Sequence, residues 1–265
     1  MGELKFVGLG LHDELGISMR GLEEARGADA VFAEFYTSLM LGLSVEKLSS
    51  LVGKPIRVLR RADVEEEAEQ SILRYARTGR VVLLVPGDPM AATTHVALRL
   101  EAEKQGVRTG VVHGASIASA IGGVTGLQTY KFGRTVTIPF PRAEGPVESP
   151  YSFIKDNMLR GLHTLVLLDV EAEGKSYMTI GDALKILLEV ESLRGENVVL
   201  NKTLAVGVAR VGSISPVVRA GRVEDLLTHD FGSPPHSLVF PGKIHFMEAE
   251  ALVVLAGAER SMLKA

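Results

Sequence analysis

Short runs rich in Val, Ile and Leu alternate along the chain with longer stretches of helical period, the pattern of an α/β protein with largely parallel strands. Residues 4–9 read as a first strand, stopped by Gly8 and Gly10. Helical spacing over 18–27 begins at a natural N-cap, Ser18, and ends at Gly27. Strands are expected at 30–35, 56–59, 80–85 and 108–113. Helices are expected between them at 64–78 and 94–105. The first of these carries Glu65, Glu66, Glu67 and Glu69 early and Arg74 and Arg77 late, an order that suits the helix dipole. After Gly114 the texture changes. A small-residue helix at 116–124 leads to a strand-turn-strand at 126–140 and a polar loop at 139–150 holding four prolines. Helices at 151–160, 180–193, 223–229 and from 246 then alternate with strands at 164–170, 203–210 and 237–239. The change of texture places a boundary between a first domain, 1–113, and a second, 114–265.

The 265 residues are 46% hydrophobic and 23% charged, with a net charge of −3, which sets disorder aside and argues against a polyanion or anionic-membrane binder. No nucleic acid and no membrane is expected as a partner. No apolar stretch approaches the roughly 20 residues of a membrane span, and the start lacks the basic and apolar regions of a signal peptide. The expected location is the cytoplasm. With no Cys there is no thiolate nucleophile and no Cys-ligated metal centre. The histidines show no metal-ligand spacing, so no metal is expected. Scarce Asn and Gln beside abundant Glu and Arg match a bias of thermophile proteins. A mean hydropathy of +0.20 fits strands buried on both faces.

Four places carry candidate chemistry. Gly8-Leu9-Gly10-Leu11-His12-Asp13 follows the first strand, where glycines admit a ligand close to backbone. As a dinucleotide fingerprint it lacks a third Gly, for Asp13 stands there, although Glu34 could hold a ribose. A tight βα turn is the other reading. Pro86-Gly87-Asp88-Pro89 ends the most apolar strand, at the carboxyl edge where open α/β sheets bind ligands. Asp88 either faces that crevice or caps the next helix. Ser116 is a natural N-cap at the domain junction. The last place combines 209–213 with Pro234-Pro235-His236-Ser237. No GxSxG, Walker or HExxH sequence is present.

Together these strings resemble the tetrapyrrole-methylase class of S-adenosylmethionine-dependent methyltransferases. Within it, Ala33-Glu34-Phe35-Tyr36-Thr37-Ser38, the run 86–95, Tyr130-Lys131-Phe132-Gly133, Gly161-Leu162-His163-Thr164-Leu165 and the segments 234–236 and 241–245 are similar to the diphthine synthase family, in the right order along nearly the whole chain. The resemblance implies two α/β domains with the cofactor cleft between them, in a homodimer. It implies repeated methylation of the amino group of a 3-amino-3-carboxypropyl-histidine on translation elongation factor 2, with S-adenosyl-L-methionine as donor and S-adenosyl-L-homocysteine as product. Carried over by position, the cofactor contacts are Leu11, Asp88, Ala91, Ser116, Ile117, Leu168, Ala209 and His236; no catalytic residue is implied. The loop 139–150, the pair Arg60-Arg61, and Lys131 with Arg134 are candidate contacts for the protein substrate. A precorrin-type tetrapyrrole methyltransferase and a nicotinamide-dependent oxidoreductase are the competing readings.

Overall fold

The computed structural model describes residues 2–141, 143, 145–171 and 176–263. Its elements run in chain order as β1 (Glu3–Gly8), α1 (Met19–Gly27), β2 (Ala30–Glu34), α2 (Val45–Val52), β3 (Ile56–Leu59), α3 (Arg61–Glu65), α4 (Arg74–Ala76), β4 (Arg80–Val85), α5 (His95–Lys104), β5 (Arg108–Val112) and α6 (Ile117–Thr125). There follow β6 (Val136–Ile138), α7 (Ser149–Leu159), β7 (Thr164–Leu168), β8 (Val170–Glu171), β9 (Ser176–Tyr177), α8 (Ile180–Arg194), β10 (Leu204–Ala209), β11 (Val217–Arg222), α9 (Val223–Thr228), β12 (His236–Phe240) and α10 (Phe246–Ala256). The described residues form two compact units, 2–117 and the remainder from Ala118 onward. Among the described residues no helix is long and apolar enough to cross a membrane.

The first unit holds a five-stranded, fully parallel sheet of order β3-β2-β4-β1-β5. Alternation along each strand sends side chains to opposite faces. Leu4, Phe6, Phe32, Val81, Leu83 and Val85 pack on one side against Ile72, Leu73, Leu98 and Ala102. Val7, Val31, Ala33, Val82 and Leu84 pack on the other against Leu22, Ala25, Leu48 and Val52. Both faces are covered, so the strands read as almost unbroken apolar runs.

The second unit departs from the expected parallel arrangement. Its five strands run β11-β10-β12-β7-β6, and only the β6–β7 pair is parallel. The antiparallel β11 was not anticipated, because its sequence Val-Val-Arg-Ala-Gly-Arg looks polar until it is seen paired along all of β10. Helix α2 also went unread, although Ser44 caps its start and Gly53, at φ +77°, ends it. The continuous helix expected over 64–78 breaks instead into α3, a π turn at Glu69–Leu73 and α4. Glu65 and Glu69, four apart, would face each other as like charges on a regular helix, and the Ser71 hydroxyl donates to the Asp63 carbonyl at the break. Over 126–140 only β6 is a strand, preceded by a 3₁₀ turn at Thr129–Lys131.

That 3₁₀ turn serves a buried ionic knot. Glu248, wholly inaccessible in α10, accepts from Lys131 Nζ, from His163 Nε2 at 2.8 Å, and from the backbone N–H groups of Gln128 at 2.9 Å and His245 at 2.8 Å. His163 Nδ1 in turn accepts from the Gly242 N–H at 3.0 Å, so the ring is neutral with its proton on Nε2. Burial pushes the Glu248 carboxyl up, but the hydrogen bonds from Lys131, Gln128, His245 and His163 overcome it and hold it at about 2. Burial pushes His163 down. Segments far apart in sequence are thereby tied at one point.

Both shifts are depressions, so both contributions are complete above the ordinary values and are lost as pH falls. Stability should decline first below the ordinary histidine value of 6.5, through His163, and again between 4.5 and about 2, through Glu248. Glu248→Gln should remove this second acid step and cost about 3 kcal/mol at neutral pH, since it leaves the Lys131 charge uncompensated. Denaturant titrations of both chains from pH 3 to 8 measure this.

Candidate active site

The carboxyl ends of β1, β4 and β5 meet at a distance that only glycine permits. A Cβ on Gly8 would stand 2.5 Å from the Gly87 carbonyl oxygen and 2.6 Å from the Gly114 nitrogen. A Cβ on Gly114 would collide with that same oxygen. Gly10, at φ +80°, and Gly87, at φ +68°, exchange backbone hydrogen bonds of 3.2 and 2.7 Å in an isolated antiparallel bridge. The first, fourth and fifth strand-end loops thus share one backbone cluster, with Leu11, Asp88 and Ala91 on the loops it fixes and Ser116 and Ile117 just beyond Gly114.

Asp88 does not cap the following helix. The N-cap of α5 is Thr94, and the Asp88 carboxylate folds back on its own turn. Its Oδ1 accepts from the Met90 N–H at 2.9 Å, and its Oδ2 lies 2.7 Å from His113 Nδ1. The Ala91 N–H donates to the Asp88 carbonyl at 3.2 Å. Ala92 is held at φ +55°, a left-handed backbone that costs a residue with a Cβ about 1 kcal/mol. The turn is therefore over-determined by its surroundings, as strained residues at ligand sites are.

A second network braces this turn from below. His95 Nδ1 donates to the Pro89 carbonyl at 3.2 Å, and the Tyr36 hydroxyl lies 3.4 Å from His95 Nε2. Glu34, fully buried, accepts from the N–H groups of Tyr36 and Thr37 and from the Thr37 hydroxyl at 2.6 Å. Burial pushes its carboxyl up to about 7 against those hydrogen bonds, and burial pushes His95 down. Glu34 is thus spent on its own turn and has no oxygen to offer a ribose. Asp13 likewise caps a 3₁₀ turn, accepting from Leu15 N–H, where a dinucleotide fold would begin its phosphate-binding helix. These two findings remove the structural basis of the nicotinamide reading.

In the second unit, Ala209 and His236 are direct cross-strand partners, and Leu168 closes the neighbouring β7. Arg210 sits at φ +51°, its N–H donating to the Pro235 carbonyl at 2.9 Å and its Nη1 to the carbonyls of Phe231 and Ser233. The segments 209–213 and 234–237 are therefore joined, as their chemistry suggested. The His236 ring is committed internally. Its Nδ1 accepts from the Ile180 N–H at 3.3 Å and its Nε2 donates to the Gly232 carbonyl at 3.1 Å. Burial pushes its affinity for a proton down. A ligand would meet this histidine through its backbone or ring face.

The expected surface contacts fare differently. Lys131 is taken up by Glu248 and by the Lys243 carbonyl at 2.5 Å, and Arg134 lies 3.5 Å above the Phe153 ring, so neither is an uncommitted docking charge. Arg60 pairs with Asp63, and Arg61 lies over the Tyr36 ring. Of the loop 139–150, Arg142 and Glu144 fall outside the described residues. His113 and the left-handed Ala92 and Arg210 were not singled out from sequence. No periodicity marks them, and a lone histidine beside a strand end is unremarkable until Asp88 is seen against it.

The model of the tetrapyrrole (corrin/porphyrin) methylases matches residues 3–212. Diphthine synthases from Methanosarcina mazei and Methanocella arvoryzae are each 51% identical to the chain, over 98% and 96% of it respectively and 98% of each relative. The chain belongs to the diphthine synthase family. A crystal structure of a diphthine synthase superposes with a TM-score of 0.90 at 42% identity, covering 98% of both chains. Like its family, the chain is a methyltransferase. The diphthine synthase strings that carry the likeness fall largely on the buried network around Glu34 in the first unit and on the one around Glu248 in the second.

Filling that floor should be costly. Gly114→Ala should lower stability by about 1–3 kcal/mol, as overpacking does, whereas Gly106→Ala, with open space around its Cβ position but φ +76°, should cost only the smaller backbone strain. Denaturant unfolding of the two variants separates contact from conformation.

Proposed function

We propose that the chain transfers methyl groups repeatedly from S-adenosyl-L-methionine to the amino group of the 3-amino-3-carboxypropyl-histidine of translation elongation factor 2, in the cytoplasm, yielding diphthine and S-adenosyl-L-homocysteine. The near full-length identity to diphthine synthases carries this reading. A precorrin-type tetrapyrrole substrate would share the family model but not that full-length likeness.

The donor supplies a sulfonium-bound methyl group, whose transfer needs alignment and exclusion of water more than a nucleophile built into the protein. The residues present fit such a group. A backbone cradle that a Cβ would fill, a carboxylate oriented by the Met90 N–H, and two strained turns are the features that fit a cationic, adenine-bearing ligand. In this reading Asp88 favours the positive groups of the donor. Leu11 and Ala91 present backbone and small side chains, Ser116 and Ile117 continue the wall in domain 1–113 and at its junction, and Leu168, Ala209 and His236 are the contacts that domain 114–265 would offer.

The reading extends to a homodimer. Along α10, Phe246 and Val254 are 73% and 69% exposed, and Met247 and Leu255 are exposed beside them. Phe246 and Val254, like Met247 and Leu255, lie about two turns apart on one side of α10 with Glu250 exposed between them, and these apolar side chains are suited to a second copy of the chain. Val254→Asp combined with Leu255→Asp should convert a dimer to a monomer in sedimentation equilibrium. An unchanged mass would place the second copy elsewhere.

Incubation with labelled S-adenosylmethionine and elongation factor 2 bearing the aminocarboxypropyl-histidine should add methyl groups that mass spectrometry can count. No incorporation would overturn the proposal. Asp88→Ala should weaken S-adenosylmethionine binding by more than about tenfold, roughly 1.4 kcal/mol, as read by calorimetry. An unchanged affinity would remove Asp88 from that role.

A further inference from the structure

An amine attacks only when its nitrogen lone pair is unprotonated. The acceptor nitrogen of the aminocarboxypropyl arm sits beside a free carboxylate, which holds it above the roughly 8 of a chain's α-amino group, so at neutral pH nearly all of it carries the extra proton. Each round of methylation short of the last creates a new ammonium that must lose a proton again. A proton acceptor with a value near neutrality would speed every round.

The chain has seven histidines, and the structure narrows them sharply. His95, His163 and His236 are buried, with both ring nitrogens bonded internally. His245 spends Nδ1 on the Met247 N–H at the start of α10. His229, in the second unit, packs edge-on against Phe231 at 4.6 Å. His12 and His113 remain, both on loops at the carboxyl end of the parallel sheet. Of these, only His113 touches a carboxylate: its Nδ1 is 2.7 Å from Asp88 Oδ2. The other Asp88 oxygen is pinned by the Met90 N–H, so the carboxylate cannot turn away. The His113 side chain is 73% exposed and that of Asp88 13%. The result is a carboxylate–imidazole dyad with the carboxylate set in the protein and the ring reaching solvent.

We propose that His113 is the proton acceptor for the substrate amine, its Nδ1–H held by Asp88 so that Nε2 presents the lone pair. The inference rests on the methyl-transfer reading above. In the step, an N–H bond of the substrate ammonium breaks, its electron pair stays on the substrate nitrogen, and an N–H bond forms at His113 Nε2. The ring then passes that proton to water and is ready for the next round. Asp88 fixes the tautomer, as a buried carboxylate does for catalytic imidazoles elsewhere. The other charged groups near His113 are Lys5 on β1 and Arg20 and Glu24 on α1, which line a shallow groove with Gly110–His113. Lys5 and Arg20 both pair with Glu24 at 2.5 Å, which leaves Asp88 as the charge in contact with the ring. One site thereby uses Asp88 twice, toward the donor and toward the base.

Two measurements decide it. In the wild-type chain without substrate, long-range proton–nitrogen NMR should find neutral His113 with its proton on Nδ1, the less common tautomer, and Asp88→Asn should abolish that preference. In steady-state assays, His113→Gln should lower kcat/KM about 100-fold or more at pH 7. It should recover toward wild type as pH rises through the amine's own pKa, where the amine loses its proton unaided, or on adding imidazole. S-adenosylmethionine affinity should stay within about threefold by calorimetry, which a general collapse of the site would not allow. A His113→Gln chain with the wild-type pH profile, or a wild-type ring protonated on Nε2, would overturn the proposal. Loss of the profile in His12→Gln instead would move the role to His12. A wild-type chain that binds S-adenosylmethionine but methylates nothing would overturn the functional reading itself, a result distinct from any of these.

Discussion

Everything proposed for the first unit depends on three backbones occupying space that side chains normally hold. Gly8, Gly87 and Gly114 come from strands that are neighbours in the sheet, and their mutual approach draws the loops after β1, β4 and β5 into one surface. Because the contact is backbone to backbone, no rotamer change can relieve an added methyl group. The same closeness dictates that the turn after β4 be tight, and a tight turn forces Ala92 into a left-handed conformation and folds the Asp88 carboxylate onto Met90. Geometry at one point thus sets the orientation of the acidic side chain, and that of the imidazole resting on it.

In each unit the chain uses buried glutamates as internal ties. Glu34 gathers the N–H groups of its own turn, and Glu248 gathers Lys131, His163 and two backbone N–H groups. Glu191 accepts from the Tyr151 hydroxyl and from three consecutive backbone N–H groups, Asn197 to Val199. A carboxylate that accepts several donors loses little by leaving water, because each lone pair finds a replacement. In a chain without cysteine, such ties fix irregular segments that neither sheet nor helix would hold.

Much of this was legible in the sequence. The first sheet was readable because both faces are buried, which leaves unbroken apolar runs ended by Gly or Pro-Gly. The second sheet was read less well, since β11 faces solvent for part of its length and β6 is three residues long. The broken helix at 61–76 was invisible to a periodicity argument, which counts apolar spacing and not crowding of like charges. In the candidate site, Asp88 and the glycines stood out as turn chemistry. The proposed contacts Leu11, Ala91, Ile117, Leu168 and Ala209 did not, because small and apolar side chains carry no chemical signature in residue type. His113 was missed for another reason: its partner is 25 residues away and adjacent only across the sheet.

The knot around Glu248 bears on how such chains are recognised. Lys131 and His163 belong to strings that mark the family, yet with Glu248, just beyond the last of those strings, they act on one another and on backbone, as structural members of the second unit. Losing any one of them leaves the other two worse off, so selection for foldability alone would preserve the set. A descendant could therefore abandon methyl transfer, acquire a different ligand, and still carry the family's signature intact. In such a lineage the first residues free to drift would be those around Asp88, whose arrangement serves a ligand more than the fold.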